Sequence, residues 1–227
     1  MRSLIGVLAF ALAAAVPDPK PPEITLTLDT VDVVRPPGSE PGLGYLSGRA
    51  LAHQGELELF DVVFAIDTSG STADASGLGK RSGWFSRLPG AGVAHSDSIL
   101  GAEVAAIESL LDGFDPRTTR VGLVSFAGSE YPNADHAWVE APLTSNYAEL
   151  RKALEDRLLV DPEGGTNLRA GLLRGGIELL GTRSAESRPR ARASRHLVVL
   201  SDGIPTLPEP DPVRGAIRAA RSLAKRG

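Results

Sequence analysis

Five oxygen-bearing side chains lie on three short segments of this sequence, at positions where a folded chain would bring them together. They are Asp67, Ser69, Ser71, Thr166 and Asp202. The first three directly follow an apolar run, Asp202 directly follows another, and Thr166 follows two glycines in front of a predicted helix. A set made only of oxygen ligands suits Mg²⁺, Mn²⁺ or Ca²⁺, whereas zinc and copper favour nitrogen or sulfur. The spacing therefore predicts a divalent-cation site.

The small number of charged ligands in this set has two consequences. Mg²⁺ requires an octahedral shell and usually keeps several waters, so it fits a site with only two carboxylates, Asp67 and Asp202. A cation held mainly by neutral hydroxyls retains most of its charge and keeps an open position. We therefore expect it to attract an external carboxylate, the Asp or Glu side chain of a partner protein.

The elements that must position these residues are alternating strands and helices. Apolar runs at residues 62–66, 121–126 and 197–200 are typical of strands buried on both faces, and residues 137–141 alternate as an edge strand does. Helical periodicity covers the stretches between them. We predict an α/β fold, a doubly wound and mostly parallel sheet with helices on both faces. Ligands of such sheets bind at the carboxyl ends of the strands, where the five residues fall.

The order Asp-x-Ser-x-Ser, then Thr, then Asp on these elements resembles the metal-ion-dependent adhesion site of the von Willebrand factor A domain family. The resemblance covers the chain from Leu59 onward, and residues 119–126, 142–144 and 164–167 also look like the family. It implies a Rossmann-like fold with one antiparallel edge strand.

The resemblance also implies a role for each site residue. Ser69, Ser71 and Thr166 would contact the metal directly. Asp67 and Asp202 would act mainly through bound waters. The cation would then be Mg²⁺, with Mn²⁺ or Ca²⁺ as alternatives, and the domain would be an adhesion or protein-binding module.

Two departures from the family pattern concern segments beside the site. Residues 72–96 form a long glycine-rich stretch, either a solvated loop or an insertion that selects the partner. The sequence ends at Gly227, where the family adds at least one strand and one helix, so we expect the natural gene to continue and the domain to be truncated here. The strand before Asp202 would then have an unpaired edge.

Two helices carry finer predictions. Asn146, with Glu149 three residues later, has the pattern of a capping box at the start of a helix over residues 147–158. The last helix has an apolar stripe that we expect to face the core, consisting of Val213, Ile217, Ala220 and Leu223.

Residues 1–15 have the form of a secretory signal peptide, with Arg2 near the start, an apolar run from Leu4 and three alanines at the end. The run of about a dozen residues is shorter than the roughly 20 that a membrane-spanning helix needs. We expect export to the periplasm or the extracellular space. Residues 16–56 are predicted to be a Pro-rich linker and a short β segment that pairs with itself or a sheet edge, and residues 57–227 the domain.

Composition and motif content argue against other functions. The 227 residues carry a formal net charge of -4 with both signs spread along the chain, which gives no reason to expect nucleic acid as a partner. Cysteine is absent, so disulfides and thiolate metal sites are excluded. Phosphate-binding, nucleophile-elbow and His-Glu-x-x-His motifs are also absent. Arginines crowd residues 183–195, a stretch that we interpret as a solvated loop on the face away from the metal.

Three functions are compatible with such a domain. We favour an exported, non-enzymatic adhesion or protein-binding module whose cation bridges to a partner's carboxylate. The first alternative is an adaptor for a cytoplasmic ATPase of the chelatase or chaperone type, which becomes the better reading if residues 1–15 are not cleaved. The second alternative is a metal-dependent hydrolase, which needs a general base that the sequence does not provide.

Overall fold

The structure, a computed structural model, describes residues 8–10, 23–29, 47–53, 55, 57–77, 97–129, 135–208 and 210–226. Its strands are β1 (Leu8–Phe10), β2 (Glu23–Asp29), β3 (Ser47–His53), β4 (Leu59–Asp67), β5 (Thr119–Phe126), β6 (Ala137–Thr144) and β7 (Ala193–Leu200). Its helices are α1 (Ile99–Gly113), α2 (Tyr147–Leu158), α3 (Leu168–Leu180) and α4 (Pro212–Ala224), with a short 3-10 helix at Gly70–Ala73. The chain divides into two compact units, one of which is Pro17–Glu58 and the other Met1–Val16 together with Leu59–Gly227.

The larger unit is built on a mixed sheet with the strand order β1-β7-β4-β5-β6. β4 lies in the middle and pairs in parallel with β5 on one side and β7 on the other, while β6 pairs antiparallel with β5 at one edge. The predicted α/β class with a mostly parallel sheet is confirmed. Because β5 and β7 lie on opposite sides of β4, the strand order reverses at β4, and ligands of such sheets bind at that point.

Helices cover both faces of this sheet. α1 and α2 bury one face through a core that includes Phe64, Leu100 and Leu154. α3 and α4 bury the other face. α3 lies very close to the sheet because two of its three glycines, Gly171 and Gly175, face the strands. A Cβ at Gly171 would be 2.5 Å from the Phe126 ring, so a larger residue would force the helix away.

The predicted capping box of α2 is wrong. The side chain of Asn146 makes no capping hydrogen bond. The Asn146 backbone carbonyl accepts the N–H of Glu149 at 3.1 Å instead, and the Asn146 N–H donates to Thr144 Oγ1 at 3.0 Å. A local turn thus starts the helix without using the side-chain pair.

The predicted inward face of α4 is also wrong in part. Val213 and Ile217 are each 45% exposed, whereas Ala216, Ala219 and Leu223 are buried. The reason is that α4 packs against α3, where a close approach favours small residues over large ones. Leu223 fits into this contact because its partner on α3 is a glycine.

The edge of β7 differs from the sequence prediction. β1 pairs with it antiparallel, with Leu8 opposite Val199 and Phe10 opposite Leu197. The prediction of an unpaired strand edge beside Asp202 is therefore wrong over residues 197–199. The free N–H and C=O groups of an edge strand bind an extended segment that reaches them, and here that segment comes from the predicted signal peptide.

One arginine of the predicted solvated loop, Arg190, is largely buried instead, with 18% of its side chain exposed. The guanidinium Nη2 of Arg190 lies 2.8 Å from Oδ1 of Asp61, which is fully buried in β4. Nη2 also donates to the carbonyls of Phe60 and Thr118 at 2.7 and 2.9 Å. This ion pair holds together the amino ends of β4 and β5, at the opposite end of the sheet from Asp67.

The smaller unit contains β2 and β3, which pair antiparallel from Glu23 opposite His53 to Asp29 opposite Ser47. This part of the chain therefore pairs with itself. Most of the predicted insertion beside the site, residues 78–96, lies outside the described residues. None of the described helices combines the length and the apolar character that a membrane span needs.

Candidate metal centre

The first segment of the site is the turn that follows β4. Asp67 is fully buried, and its Oδ1 accepts the backbone N–H of Ser69 at 2.9 Å. Thr68 fixes the turn to the neighbouring strand, because its N–H and its Oγ1 both donate to the Phe126 carbonyl, at 2.8 and 3.1 Å. These bonds hold the backbone that carries the hydroxyls of Ser69 and Ser71.

The second segment is the glycine turn before α3. Gly164 has a φ of +77°, which L-residues rarely adopt, and a Cβ there would be 2.1 Å from the Gly128 carbonyl oxygen. The Gly164 carbonyl accepts the N–H of Gly70 at 3.0 Å, and the Gly165 N–H donates to the Gly128 carbonyl at 2.9 Å. The turn therefore docks directly on the first segment and brings Thr166 to it.

The structure brings all five predicted residues together at the carboxyl end of β4. Thr166 Oγ1 donates to Ser69 Oγ at 3.0 Å. Ser69 Oγ lies 3.3 Å from Ser71 Oγ, and Ser71 Oγ donates to Asp202 Oδ1 at 3.2 Å. With the bond from the Ser69 N–H to Asp67, these contacts form a continuous hydrogen-bonded set from three segments far apart in sequence.

The spacing and chemistry of this set fit a small divalent cation. Adjacent octahedral ligands of Mg²⁺ lie about 3.0 Å apart, and the two hydroxyl pairs here are 3.0 and 3.3 Å apart. Ser69 and Thr166 are 1% and 4% exposed, whereas Ser71 is exposed, so the set has a buried side and an open side. Within the described part of the chain, no three His, Cys, Asp or Glu side chains form a metal-binding group. A cation at this position would therefore need the hydroxyls as well as the two carboxylates.

Sequence reasoning missed two residues that position the site. Ser201 Oγ donates to Asp67 Oδ2 at 2.6 Å, so both oxygens of that carboxyl group are engaged. Thr206 Oγ1 accepts the N–H of Thr166 at 2.9 Å, and the Thr206 N–H donates to the Thr166 carbonyl at 2.9 Å. Ser201 directly precedes Asp202 in the sequence, so its position near the site could have been predicted. Nothing in the sequence links Thr206 to Thr166.

A third carboxyl group lies near the site. Glu103 is on the buried face of α1, 3% exposed, and neither of its carboxyl oxygens has a hydrogen-bonding partner among the described residues. Burial raises the pKa of Glu103 well above its ordinary value, and the charges of Asp67 and Asp202 raise it further. Its burial could have been predicted, because it lies three residues after Leu100 and four before Ile107 on the apolar stripe of α1.

Burial also raises the pKa of Asp67, although hydrogen bonds from Ser201 and Ser69 act in the opposite direction. The negative charge of Asp202 adds to the increase. Carboxyl groups gathered in this way at a buried position favour a nearby cation, which would offset both the burial and the mutual repulsion.

The solved structures that match this chain share little sequence with it. BatB, a conserved hypothetical protein from Bacteroides thetaiotaomicron, is 23% identical over 74% of this chain and 62% of that chain, with a TM-score of 0.49. An aerotolerance-related membrane protein from Bacteroides fragilis is 23% identical over 74% and 63% of the two chains, with a TM-score of 0.46. The pilus adhesin SpaC from Lactobacillus rhamnosus GG is 20% identical over 66% and 16%, with a TM-score of 0.44. This chain thus spans less than two thirds of the length of each of them.

No curated protein matches this chain. The model of the von Willebrand factor type A domain matches residues 61–224, a span that contains all five site residues and the elements from β5 to α4. The chain therefore belongs to the von Willebrand factor type A domain family.

Proposed function

We propose that this chain is a protein-binding or adhesion module that captures an acidic partner through one divalent cation, Mg²⁺ before Mn²⁺ or Ca²⁺, and that it is not an enzyme. Domains of this family are generally interaction modules and commonly bind a divalent metal. The observation that carries the proposal is the row of oxygens on Thr166, Ser69, Ser71 and Asp202, with successive distances of 3.0, 3.3 and 3.2 Å. This row consists of hard oxygen ligands and is exposed at Ser71.

The charges of the site explain why its ligand would be acidic. In the proposed arrangement Ser69, Ser71 and Thr166 contact the ion, and the carboxylates of Asp67 and Asp202 act through bound waters. Neutral hydroxyls leave the ion most of its positive charge. An Asp or Glu side chain of a partner protein then completes the shell from the exposed side, in a contact that is strong because both groups are charged.

The surroundings of the hydroxyls support a binding role over a hydrolytic one. A hydrolase needs a general base within hydrogen-bonding reach of the reacting water. In the part of the chain that the structure describes, the hydrogen bonds of the three hydroxyls run to one another and to Asp202, whose carboxylate the proposal assigns to the cation, and none reaches a histidine.

We also propose that the module acts outside the cytoplasm, in the periplasm or as a secreted protein. The support is the form of residues 1–15, with a basic start, an apolar run and a small-residue end. β1 belongs to this segment, so its cleavage would remove β1 and free the edge of β7 for another strand.

The proposal is tested by a pull-down from an extract of the native organism, with the full chain as bait in Mg²⁺ or in EDTA. The double variant Ser69→Ala/Ser71→Ala removes two of the three hydroxyls, and we expect it to lose the same partners that EDTA removes. Ser184→Ala is the matched control, because Ser184 is exposed in the loop before β7 and makes no contact with the site.

Recovery of the same partners in all four samples would contradict a metal-bridged contact.

The proposed export is tested on the chain purified from its native organism. N-terminal sequencing is expected to begin at Val16 in an extracytoplasmic fraction, whereas an intact Met1 in the cytoplasm would favour the ATPase-adaptor alternative.

A further inference from the structure

Glu103 is a buried carboxyl group for which the described structure provides no counter-charge. The side chain is 3% exposed, and both of its oxygens lack a hydrogen-bonding partner among the described residues. Buried charged groups in proteins are normally paired or lie beside a metal ion. This residue therefore requires an explanation that the described atoms around it do not supply.

Other buried acids of the described chain have partners of their own. Asp61 is paired with Arg190 at 2.8 Å. Glu178 accepts the backbone N–H of Ser187 at 2.7 Å and faces an arginine on its own helix at 3.5 Å. Glu103 differs from both, because neither of its oxygens is paired.

The position of Glu103 connects it to the metal centre. α1 packs against β4 and the 3-10 helix, the two elements that carry the first segment of the site. The Asp67 backbone N–H faces the Glu103 carboxyl group without making a regular hydrogen bond, and Asp67 and Asp202 both act on it electrostatically. A cation beside Asp67 would therefore supply the missing counter-charge.

We propose that Glu103 is the third carboxylate of the cation site, a positioning residue that contributes its negative charge from the core side without touching the ion and that favours divalent over monovalent cations. The inference rests on the proposed cation site. The preference follows from Coulomb's law, because an ionised carboxylate attracts a doubly charged ion twice as strongly as a singly charged one at the same distance.

The test compares Mg²⁺ binding by the full chain and by Glu103→Gln, which keeps the shape of the side chain and removes its charge. Isothermal titration with Mg²⁺ is expected to show about a tenfold higher Kd for the variant. The increase in Tm that Mg²⁺ causes should shrink as well. A competing titration in NaCl should reduce Mg²⁺ binding more strongly in the variant than in the wild type.

Glu108→Gln is the matched control. Glu108 is a second buried acid on α1, and its Oε1 lies 3.9 Å from Nη1 of Arg151. The other charges that act on it come from Asp112 and Glu155. Its substitution is expected to leave the Kd for Mg²⁺ unchanged. In EDTA, Glu103→Gln should melt at or above the wild-type Tm, which would show that a weaker affinity does not come from a damaged fold.

Equal Kd values for Glu103→Gln and the wild type would overturn the inference and leave the cation site in place. An equal loss in Glu108→Gln would overturn it too, since the effect would then belong to the helix as a whole. Failure of the wild-type chain to bind Mg²⁺ or Mn²⁺ at all would instead refute the proposed function on which the inference rests.

Discussion

Asp67 receives hydrogen bonds at both carboxyl oxygens, from the Ser69 N–H at 2.9 Å and from Ser201 Oγ at 2.6 Å. Hydrogen bonds to the ionised form of a carboxyl group lower its pKa, so these two oppose the effect of burial on Asp67. Because both oxygens are engaged, the two hydrogen bonds also fix the orientation of the Asp67 side chain. Ser201 thereby determines where the charge of Asp67 lies relative to the three hydroxyls.

Substitution of Ser201 tests this positioning role. We expect Ser201→Ala to raise the Kd for Mg²⁺ about tenfold, because loss of a partner of a metal-site residue typically weakens metal affinity by that factor or more. Isothermal titration measures the change, with Ser184→Ala as the control that should bind like the wild type. An unchanged Kd for Ser201→Ala would show that Asp67 is held well enough by its turn alone.

At the residue scale, the sequence was sufficient to predict all five residues that meet. Asp67 and Asp202 each follow an apolar run, and a strand end is a local feature that pattern alone reveals. The hydrogen bonds between Thr206 and Thr166 could not be predicted, because they join two loops across 40 positions and depend on where each loop turns. The lack of a partner for Glu103 is likewise visible only in three dimensions.

At the scale of elements, the turn before α3 determines whether Thr166 reaches the site. Its backbone is bonded to both neighbouring loops, to Gly70 on one side and Gly128 on the other. The positive φ of Gly164 and the 2.1 Å approach of a Cβ to the Gly128 carbonyl oxygen leave no space for a side chain.

Gly164→Ala is expected to lower both the stability of the domain and its affinity for Mg²⁺. The strained backbone costs about 1–2 kcal/mol before the clash is counted, which corresponds to a decrease in Tm of about 5 °C for a chain of this size. Gly113→Ala is the control, since a Cβ at Gly113 meets nothing within 4 Å at the end of α1. Equal Tm values for the two variants would contradict the role assigned to the turn.

Two elements show where pattern reading fails. The apolar stripe of α4 was expected to face the core from its helical spacing, but α4 packs on another helix at a distance that admits Ala216 and Ala219 and leaves Ile217 45% exposed. The edge of β7 was expected to be unpaired, yet Leu8–Phe10 pairs with it. Periodicity identifies which residues are apolar but does not say which neighbour covers them.

At the scale of the whole molecule, the ion pair that holds the strands together and the candidate site lie at opposite ends of the sheet. The ion pair of Asp61 and Arg190 joins the strands at their amino ends, and the candidate site lies at the carboxyl ends of the same strands. Helices bury both faces between these ends. This plan follows from the alternation of apolar strands and helices, so the sequence predicted it well, and it explains why three distant segments meet at one point.

The central claim is that a divalent cation binds among Ser69, Ser71 and Thr166. A crystal of the chain soaked in Mn²⁺ and measured for anomalous scattering tests it most directly. The account predicts an anomalous peak about 2.0–2.6 Å from the three hydroxyl oxygens, absent in Ser69→Ala/Ser71→Ala. A map without a peak there, or with peaks only elsewhere on the molecule, would contradict it.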